Sequence, residues 1–161
     1  MPPVDNSVRI TLSVLDRLLD YEPEIHLESP LSRSRSLRHL KQAIKRDLEW
    51  LLNTRQYTEE IPPALKEVHR SVVAYGLPDF TSTSVKDPDN QYRLIRAIET
   101  IIGLFEPRLE AVSVTLDTVK DTDRVLRFRI DGQLKVDPAP EPVTFDSFLE
   151  SGGSQFVIKG E

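Results

Sequence analysis

The sequence contains no cysteine, which excludes disulfide bonds, thiolate zinc sites and cysteine nucleophiles. Its six glycines form no G-x-G pattern, so a glycine-rich phosphate loop is excluded as well. No G-x-S-x-G stretch indicates a nucleophilic serine. The three histidines, His26, His39 and His69, lack metal-ligand spacing and are best interpreted as ordinary surface or packed residues. We therefore expect no metal, no cofactor and no catalytic residue.

Long apolar runs are also missing. The most apolar segment, Ile98 to Phe105, is interrupted by Glu99, Thr100 and Gly103 and is far too short to span a bilayer. The first residues have neither the basic start nor the apolar stretch of a signal peptide. We therefore expect a cytoplasmic protein that does not insert directly into a membrane.

The chain does contain enough apolar material for one compact domain. Its 161 residues are 39% hydrophobic and 29% charged, which excludes wholesale disorder. The formal charge of −5 argues against general nucleic-acid binding, because phosphate contacts need a basic surface. Seven basic and two acidic residues lie between Arg33 and Arg55. A solvated helix face is the favoured interpretation of that segment, and an anion site is the alternative.

Helical periodicity predicts four helices, of which the first covers residues 11–19. A polar connector follows over residues 27–35. The second helix begins with Ser36 as its N-cap and runs to about Asn53. Trp50, the only tryptophan, lies beside the apolar stripe of this helix, where we expect it in the core or in contact with a partner.

The ends of the third and fourth helices carry recognisable signals. The third covers residues 64–75, and Gly76 is placed for the left-handed residue that follows a helix. Asp87 is a capping carboxylate followed by Pro88, and this start predicts a fourth helix that runs through Phe105 and stops before Pro107. Four residues of the third helix are predicted to face inward, namely Leu65, Val68, Val72 and Val73.

After these helices the period of the apolar residues changes from 3.6 to 2, which predicts strands. Residues 112–117 and 126–131 alternate apolar with polar side chains, and a polar turn joins them at 120–123. Two further short strands are predicted at 143–145 and 155–158, with a pair of glycines as the turn before the last.

Helices followed by antiparallel strands make an α+β domain. We expect the N-terminal helices to pack on a small antiparallel sheet formed by the C-terminal part. We divide the chain into an N-terminal helix and connector, residues 1–35, and a single α+β domain, residues 36–161.

The segment Phe105-Glu106-Pro107-Arg108 joins the last helix to the first strand. Pro107 ends the helix and fixes the backbone between two opposite charges. In one interpretation this is a structural corner, where Glu106 and Arg108 pair with neighbours or water. In the other, both charges point outward and clamp a partner helix through charge-assisted hydrogen bonds. The residues alone leave both interpretations open.

Four segments, taken in order, carry a resemblance to a known family. They are IKRDLEWLLNTR at 44–55, SVVAYGLPDF at 71–80, Glu106-Pro107-Arg108, and the strand at 126–134. Each resembles the corresponding segment of TssE, the baseplate subunit family of bacterial type VI secretion systems. The second resembles the family's S-V-L-N-Y-G-L-P-D segment with Ala74 in place of asparagine, and the third matches its E-P-R motif. The family also includes a baseplate wedge protein of contractile-tailed phages.

The resemblance implies an α+β fold and an architectural role. Such a subunit joins the wedge built from TssF, TssG and TssK, beneath the contractile sheath of TssB and TssC. The baseplate itself lies in the cytoplasm, docked at the inner-membrane complex. In relatives the E-P-R segment helps to hold the helical core bundle of the wedge, so Glu106, Pro107 and Arg108 are the expected partner-binding residues.

The resemblance also implies a role for the sheet, because the family's sheet is similar to the handshake domain of the sheath subunits. The sheet could then template the first sheath ring by pairing an edge strand with a strand of the sheath. The candidate is the last strand, which contains Gln155, Phe156, Val157 and Ile158.

Two alternatives belong to other classes of function. The family carries a lysozyme-like label, which suggests a hydrolase that cleaves peptidoglycan. Glu106 is the best candidate acid for such an enzyme, but nothing in the sequence identifies a second carboxylate, and we expect no enzyme. The other alternative is a free-standing regulatory domain that binds an anionic partner through its basic helix.

Overall fold

A computed structural model describes residues 10, 12–19, 24, 33–57, 61–80, 87–117, 125–150 and 155–160. Within these residues the helices precede an antiparallel sheet, so the predicted α+β class is confirmed. His26, most of the predicted connector, the turn predicted at 120–123 and the predicted glycine turn lie outside the described residues. The α-helices and strands are α1 Val14–Leu18, α2 Arg33–Asn53, α3 Pro88–Phe105, β1 Leu109–Asp117, β2 Val125–Leu134, β3 Glu141–Glu150 and β4 Phe156–Gly160.

The four strands form one sheet in the order β1-β2-β3-β4, and each neighbouring pair is antiparallel. The alternation in the sequence separates the two faces of the sheet. In β2, Phe128 and Ile130 are buried, whereas Arg127 and Arg129 are exposed. The register of β1 shifts around Ala111, which has a positive φ of 51°. In the strand order β1-β2-β3-β4, β1 and β4 are the two edge strands of the sheet.

Helices α2 and α3 cover one face of the sheet, with α2 against β4 and α3 against β1. Burial of a large aliphatic side chain contributes about 1.5–3 kcal/mol, so this layer is the main source of stability. Its most deeply buried aliphatic side chains are Ile44 and Leu48 of α2, Ile98 and Ile102 of α3, and Ile130, Leu134 and Ile158 of the sheet.

The starts of the two long helices differ in how well the sequence predicts them. α2 begins at Arg33, whose Nη1 donates to the carbonyl of Asp137 at 2.6 Å and holds the first turn against the segment after β2. Ser36 lies inside the helix and is buried, so its prediction as the N-cap is wrong. The start of α3 is confirmed, because the carboxylate of Asp87 accepts from a backbone N–H two residues later at 3.1 Å and a proline follows it.

The helix predicted over residues 64–75 is wrong, because this segment forms turns and two 3-10 helices, Val68–Arg70 and Val72–Ala74. Ser71 separates them: its hydroxyl donates to the carbonyl of Val68 at 2.7 Å and accepts from the N–H of Val73 at 3.3 Å. A serine that bonds the nearby backbone competes with the helix ladder. Of the residues predicted to face inward, Val68 is half-buried and three are exposed, namely Leu65, Val72 and Val73.

Gly76 has a φ of 107°, which confirms the predicted left-handed residue. A Cβ at this position would collide with the carbonyl of Thr54. The close approach lets Leu77 N–H donate to that carbonyl at 2.8 Å, and Gln56 N–H donates to the carbonyl of Leu77 at 2.8 Å. These bonds tie the segment to the end of α2.

Candidate partner-binding site

The corner between α3 and β1 is fixed by backbone hydrogen bonds on both of its sides. Glu106 N–H donates to the carbonyl of Ile102 at 2.8 Å and completes the last turn of α3. Pro107 prevents the helix from continuing. Lys135 N–H donates to the carbonyl of Arg108 at 2.9 Å, which ties the start of β1 to the end of β2.

Glu106 and Arg108 face each other across this corner. The Oε1 of Glu106 accepts from the backbone N–H of Arg108 at 3.1 Å and from its Nε at 2.7 Å, and Oε2 accepts from Nη2 at 2.5 Å. Glu106 is only 3% exposed. Its hydrogen bonds raise the pKa of the Arg108 guanidinium above the ordinary value, although burial acts in the opposite direction. This is a partly buried two-point contact between carboxylate and guanidinium.

Helix α2 adds a second carboxylate, that of Asp47, and a second guanidinium, that of Arg46, to the corner. Arg108 Nη2 also donates to Oδ2 of Asp47 at 2.5 Å. Oδ1 of Asp47 accepts from Nε and Nη2 of Arg46, at 3.0 and 2.8 Å. The guanidinium of Arg46 lies over the ring of Trp50, 5.2 Å from its centroid. The corner is therefore tied by charge to the middle of α2.

The short helix α1, five residues within the predicted 11–19, adds a third carboxylate. Oδ1 of Asp16 accepts from Arg46 Nη2 at 2.8 Å, and its Oδ2 lies 3.8 Å from Nη1 of Arg108. Oδ2 also accepts from the hydroxyl of Ser13 at 2.6 Å. Burial alone would raise the pKa of Asp16, but the hydrogen bonds from Ser13 and Arg46 and the charges of both arginines lower it.

These side chains form a charge cluster in which three carboxylates surround two guanidinium groups. We call it the corner cluster, and it consists of Asp16, Arg46, Asp47, Glu106 and Arg108.

An open cleft of about 380 Å³ lies beside the corner cluster. Tyr75 and Phe105 form part of its wall and contact each other edge to face, with ring centroids 5.2 Å apart. Trp50, at its rim, is 55% exposed and Pro107 is also exposed. The cleft thus combines exposed apolar groups with the partly accessible Arg108, a combination that suits a protein partner.

The structure brings together the three residues predicted to bind a partner, but it orients them differently. Glu106 faces inward and both of its oxygens accept from Arg108, so it does not point outward as one interpretation required. Pro107 and a quarter of the Arg108 side chain remain accessible. Contact with a partner stays a prediction. Sequence reasoning did not assign roles to three further cluster members, Asp16, Arg46 and Asp47.

The strand predicted to pair with the sheath lies at an edge of the sheet. β4 covers Phe156–Gly160, with Gln155 just before it, and three of its outward backbone groups are bonded to side chains of α2. Asn53 Nδ2 donates to the carbonyl of Phe156 at 2.9 Å, and its Oδ1 accepts from Phe156 N–H at 2.7 Å. Oε1 of Glu49 accepts from the N–H of Ile158 at 3.0 Å. Pairing with a sheath strand stays a prediction.

A family model described as baseplate wedge protein gp25 matches residues 38–139, which is more than half of the 161 residues. The chain belongs to this gp25 family. The resemblance identified from the four sequence segments is thereby confirmed, as is a structural role in a baseplate.

A solved structure gives a further comparison for this gp25-family member. One chain of "The baseplate complex from the type VI secretion system" has a TM-score of 0.48 and 17% sequence identity to it. The alignment covers 70% of this chain and 96% of that chain. Comparison with curated protein sequences gives no match.

The gp25-family match includes most of the corner cluster. Residues 38–139 contain Arg46, Asp47, Glu106 and Arg108, together with all of α3, β1 and β2. Asp16 precedes the matched range, and β4 follows it. The match therefore covers the corner and most of α2, whereas Asp16, β3 and β4 lie outside it.

Two further findings concern the described residues only. None of the helices in this part of the chain is long and apolar enough to cross a membrane. Within the same residues, no three side chains from His, Asp and Glu are grouped so that they could hold a metal ion.

Proposed function

We propose that this gp25-family member is a subunit of a type VI secretion baseplate that links the wedge to the contractile sheath. Its partners in the wedge are TssF, TssG and TssK, and its partners in the sheath are TssB and TssC. It acts in the cytoplasm, in a baseplate docked at the inner-membrane complex. The family match over residues 38–139 and the order of the four sequence segments support this proposal.

The observation that carries the proposal is the position of the E-P-R motif at the rim of an apolar cleft. Pro107 and Trp50 offer exposed apolar surface, and Arg108 is held rigidly between Glu106 and Asp47. A partner helix can pack its apolar side on Trp50 and place an acceptor near Arg108 without having to order that side chain first. Such preorganisation lowers the entropy lost on binding.

The sheath-binding part of the proposal uses the edge of the sheet. A strand that adds to β4 must take over the backbone groups that Glu49 and Asn53 occupy. The backbone supplies the affinity in this mode of recognition, whereas the side chains on alternate positions supply the specificity.

The proposed role is architectural rather than catalytic. Both oxygens of Glu106, the best candidate acid in the sequence, accept hydrogen bonds from Arg108. We expect purified protein to release no more sugar fragments from peptidoglycan than buffer does. Cleavage that Glu106→Gln abolishes would contradict an exclusively structural role.

Affinity purification of the tagged full chain from its native cytoplasm tests the proposal. We expect recovery of TssF, TssG and TssK, and of TssB and TssC when the sheath is assembled. A tagged cytoplasmic protein of similar size, expressed at the same level, controls for non-specific capture. Absence of the wedge subunits, under conditions in which they purify with one another, would contradict the proposal.

A further inference from the structure

The contacts between α2 and β4 reproduce the hydrogen-bond pattern of a neighbouring strand. In an antiparallel sheet, two opposed residues exchange both of their N–H···O bonds, and the amide of Asn53 exchanges both with the backbone of Phe156. Glu49, four residues earlier on α2, bonds Ile158, two residues later on β4. Four helical residues rise about 6 Å and two strand residues about 6.8 Å, so the two spacings match.

The opposite edge of the sheet is covered less completely. Oε1 of Glu99 on α3 accepts from the N–H of Val114 on β1 at 3.0 Å. In the part of the chain that the structure describes, no side chain bonds the next outward N–H of this strand, that of Leu116. A helix packed beside an edge strand therefore does not by itself bond all of the strand's outward groups, as α3 beside β1 shows. The bonds that cover β4 come from two particular side chains of α2, Glu49 and Asn53.

The composition of β4 explains why an open edge here would attract a second copy. Phe156, Val157 and Ile158 are consecutive residues with high β-propensity, and Lys159 is the strand's only charged residue. An edge strand with free N–H and C=O groups is a template for pairing with another chain. Two copies of one edge strand can pair antiparallel about a two-fold axis.

We propose that Glu49 and Asn53 close the β4 edge against strand addition by a second copy of this chain. Their side chains take the place of a neighbouring strand, because they bond three backbone groups of β4 that would otherwise be free. The closure is reversible, because an incoming strand offers the same donors and acceptors. It is a property of the chain alone and operates whichever assembly the chain joins.

Amide hydrogen exchange tests whether the closure exists in solution. Because ladder bonds alternate, the amides of Val157 and Lys159 face β3, whereas those of Phe156 and Ile158 face α2. We expect all four to be protected in the full-length chain. In the Glu49→Ala, Asn53→Ala double variant at low concentration, Phe156 and Ile158 should exchange about tenfold faster or more, with a smaller change at Val157 and Lys159.

Sedimentation velocity over a range of concentrations tests the consequence of closure. We expect the wild-type chain to sediment as a monomer throughout, and the double variant to shift towards a dimer as concentration rises. Phe156 and Ile158 should regain protection in that dimer, which would locate the contact at β4. Gln42→Ala, at an exposed position on the same helix, is the control and should behave as wild type.

The single variants cover the case in which the double variant does not fold. Glu49→Ala removes one of the three bonds and should associate weakly, whereas Glu49→Gln keeps an acceptor and should stay monomeric. Two results would overturn the proposal. One is a folded Glu49→Ala or double variant with fast exchange at Ile158 that stays monomeric at every concentration. The other is a wild-type chain in which Phe156 and Ile158 exchange as fast as fully exposed amides.

Discussion

The α3–β1 corner and the β4 edge both depend on polar side chains of α2, but those side chains serve opposite purposes. At the corner, Arg46 pairs with the largely buried Asp16, and Asp47 pairs with Arg108, which also holds the buried Glu106. At the edge, Glu49 and Asn53 bond backbone groups of β4, and water would reach these groups if the two side chains were removed. Loss of a partner leaves a buried charge at the corner and only a solvated strand at the edge. The corner should therefore control stability, and the edge should control association.

Arg108→Ala should have the largest effect on stability. It leaves the buried carboxylate of Glu106 without its guanidinium, and we expect a loss of about 3 kcal/mol in the free energy of unfolding, measured with urea. Arg129→Ala, which breaks an exposed pair with Asp146, is the control and should change stability by about 0–1 kcal/mol. Equal losses in the two variants would show that the corner cluster behaves as an ordinary surface network.

Acid should weaken the corner cluster, because protonation of Asp16 removes one of its three negative charges. The pKa of Asp16 is lowered in the folded chain, so its contribution is complete above the unfolded value near 3.8 and is lost as the pH falls through the folded pKa. We expect stability to decline below about pH 4 and Asp16→Asn to remove part of that decline. Urea unfolding at pH 6 and pH 3 measures the difference. An identical decline in wild type and variant would exclude Asp16 as a contributor.

Asn53→Ala should have a small effect on stability, in contrast to its effect on association. Water replaces the amide at the freed groups of Phe156, so we expect a loss of about 1 kcal/mol or less. Chemical unfolding at low protein concentration separates this loss from self-association. A loss as large as that of Arg108→Ala would remove the distinction between corner and edge.

Ser147→Ala should have the smallest effect, and its sign is favourable. Ser147 is 1% exposed, and its hydroxyl has no hydrogen-bond partner among the described residues. Removing an unpaired buried hydroxyl should stabilise the fold by about 1 kcal/mol. A rise in melting temperature would confirm this, whereas a clear fall would indicate that the hydroxyl has a partner in solution.

Local signals in the sequence predicted those parts of the fold that local forces decide. The Asp87-Pro88 start of α3 and the alternation of β2 depend on neighbours within a few residues, and both predictions are confirmed. Ser36 and the segment at 64–75 failed for a different reason. A distant carbonyl, that of Asp137, holds the start of α2, and the hydroxyl of Ser71 interrupts a helix that periodicity alone would favour.

In the candidate site, too, the contacts between neighbouring residues were predictable from the sequence and the long-range contacts were not. The motif at residues 106–108 was recognisable as a unit, because its proline and opposite charges are adjacent in the sequence. Asp16 and Asp47 reach Arg108 from 92 and 61 residues away, and such contacts leave no local pattern. The Arg46-Asp47 pair lay within the segment that carried the family resemblance, but only the folded chain brings it to the corner.

Co-purification of wedge subunits with Trp50→Ala and Tyr92→Ala variants tests the central claim most directly. Trp50 and Tyr92 are 55% and 59% exposed, and each stacks with an arginine at 5.2 and 5.3 Å, but only Trp50 borders the cleft. Both variants should stay folded because both rings are largely in solvent. We predict that Trp50→Ala loses TssF and TssG whereas Tyr92→Ala retains them. Full recovery of both subunits with Trp50→Ala would contradict a wedge-binding role for the cleft.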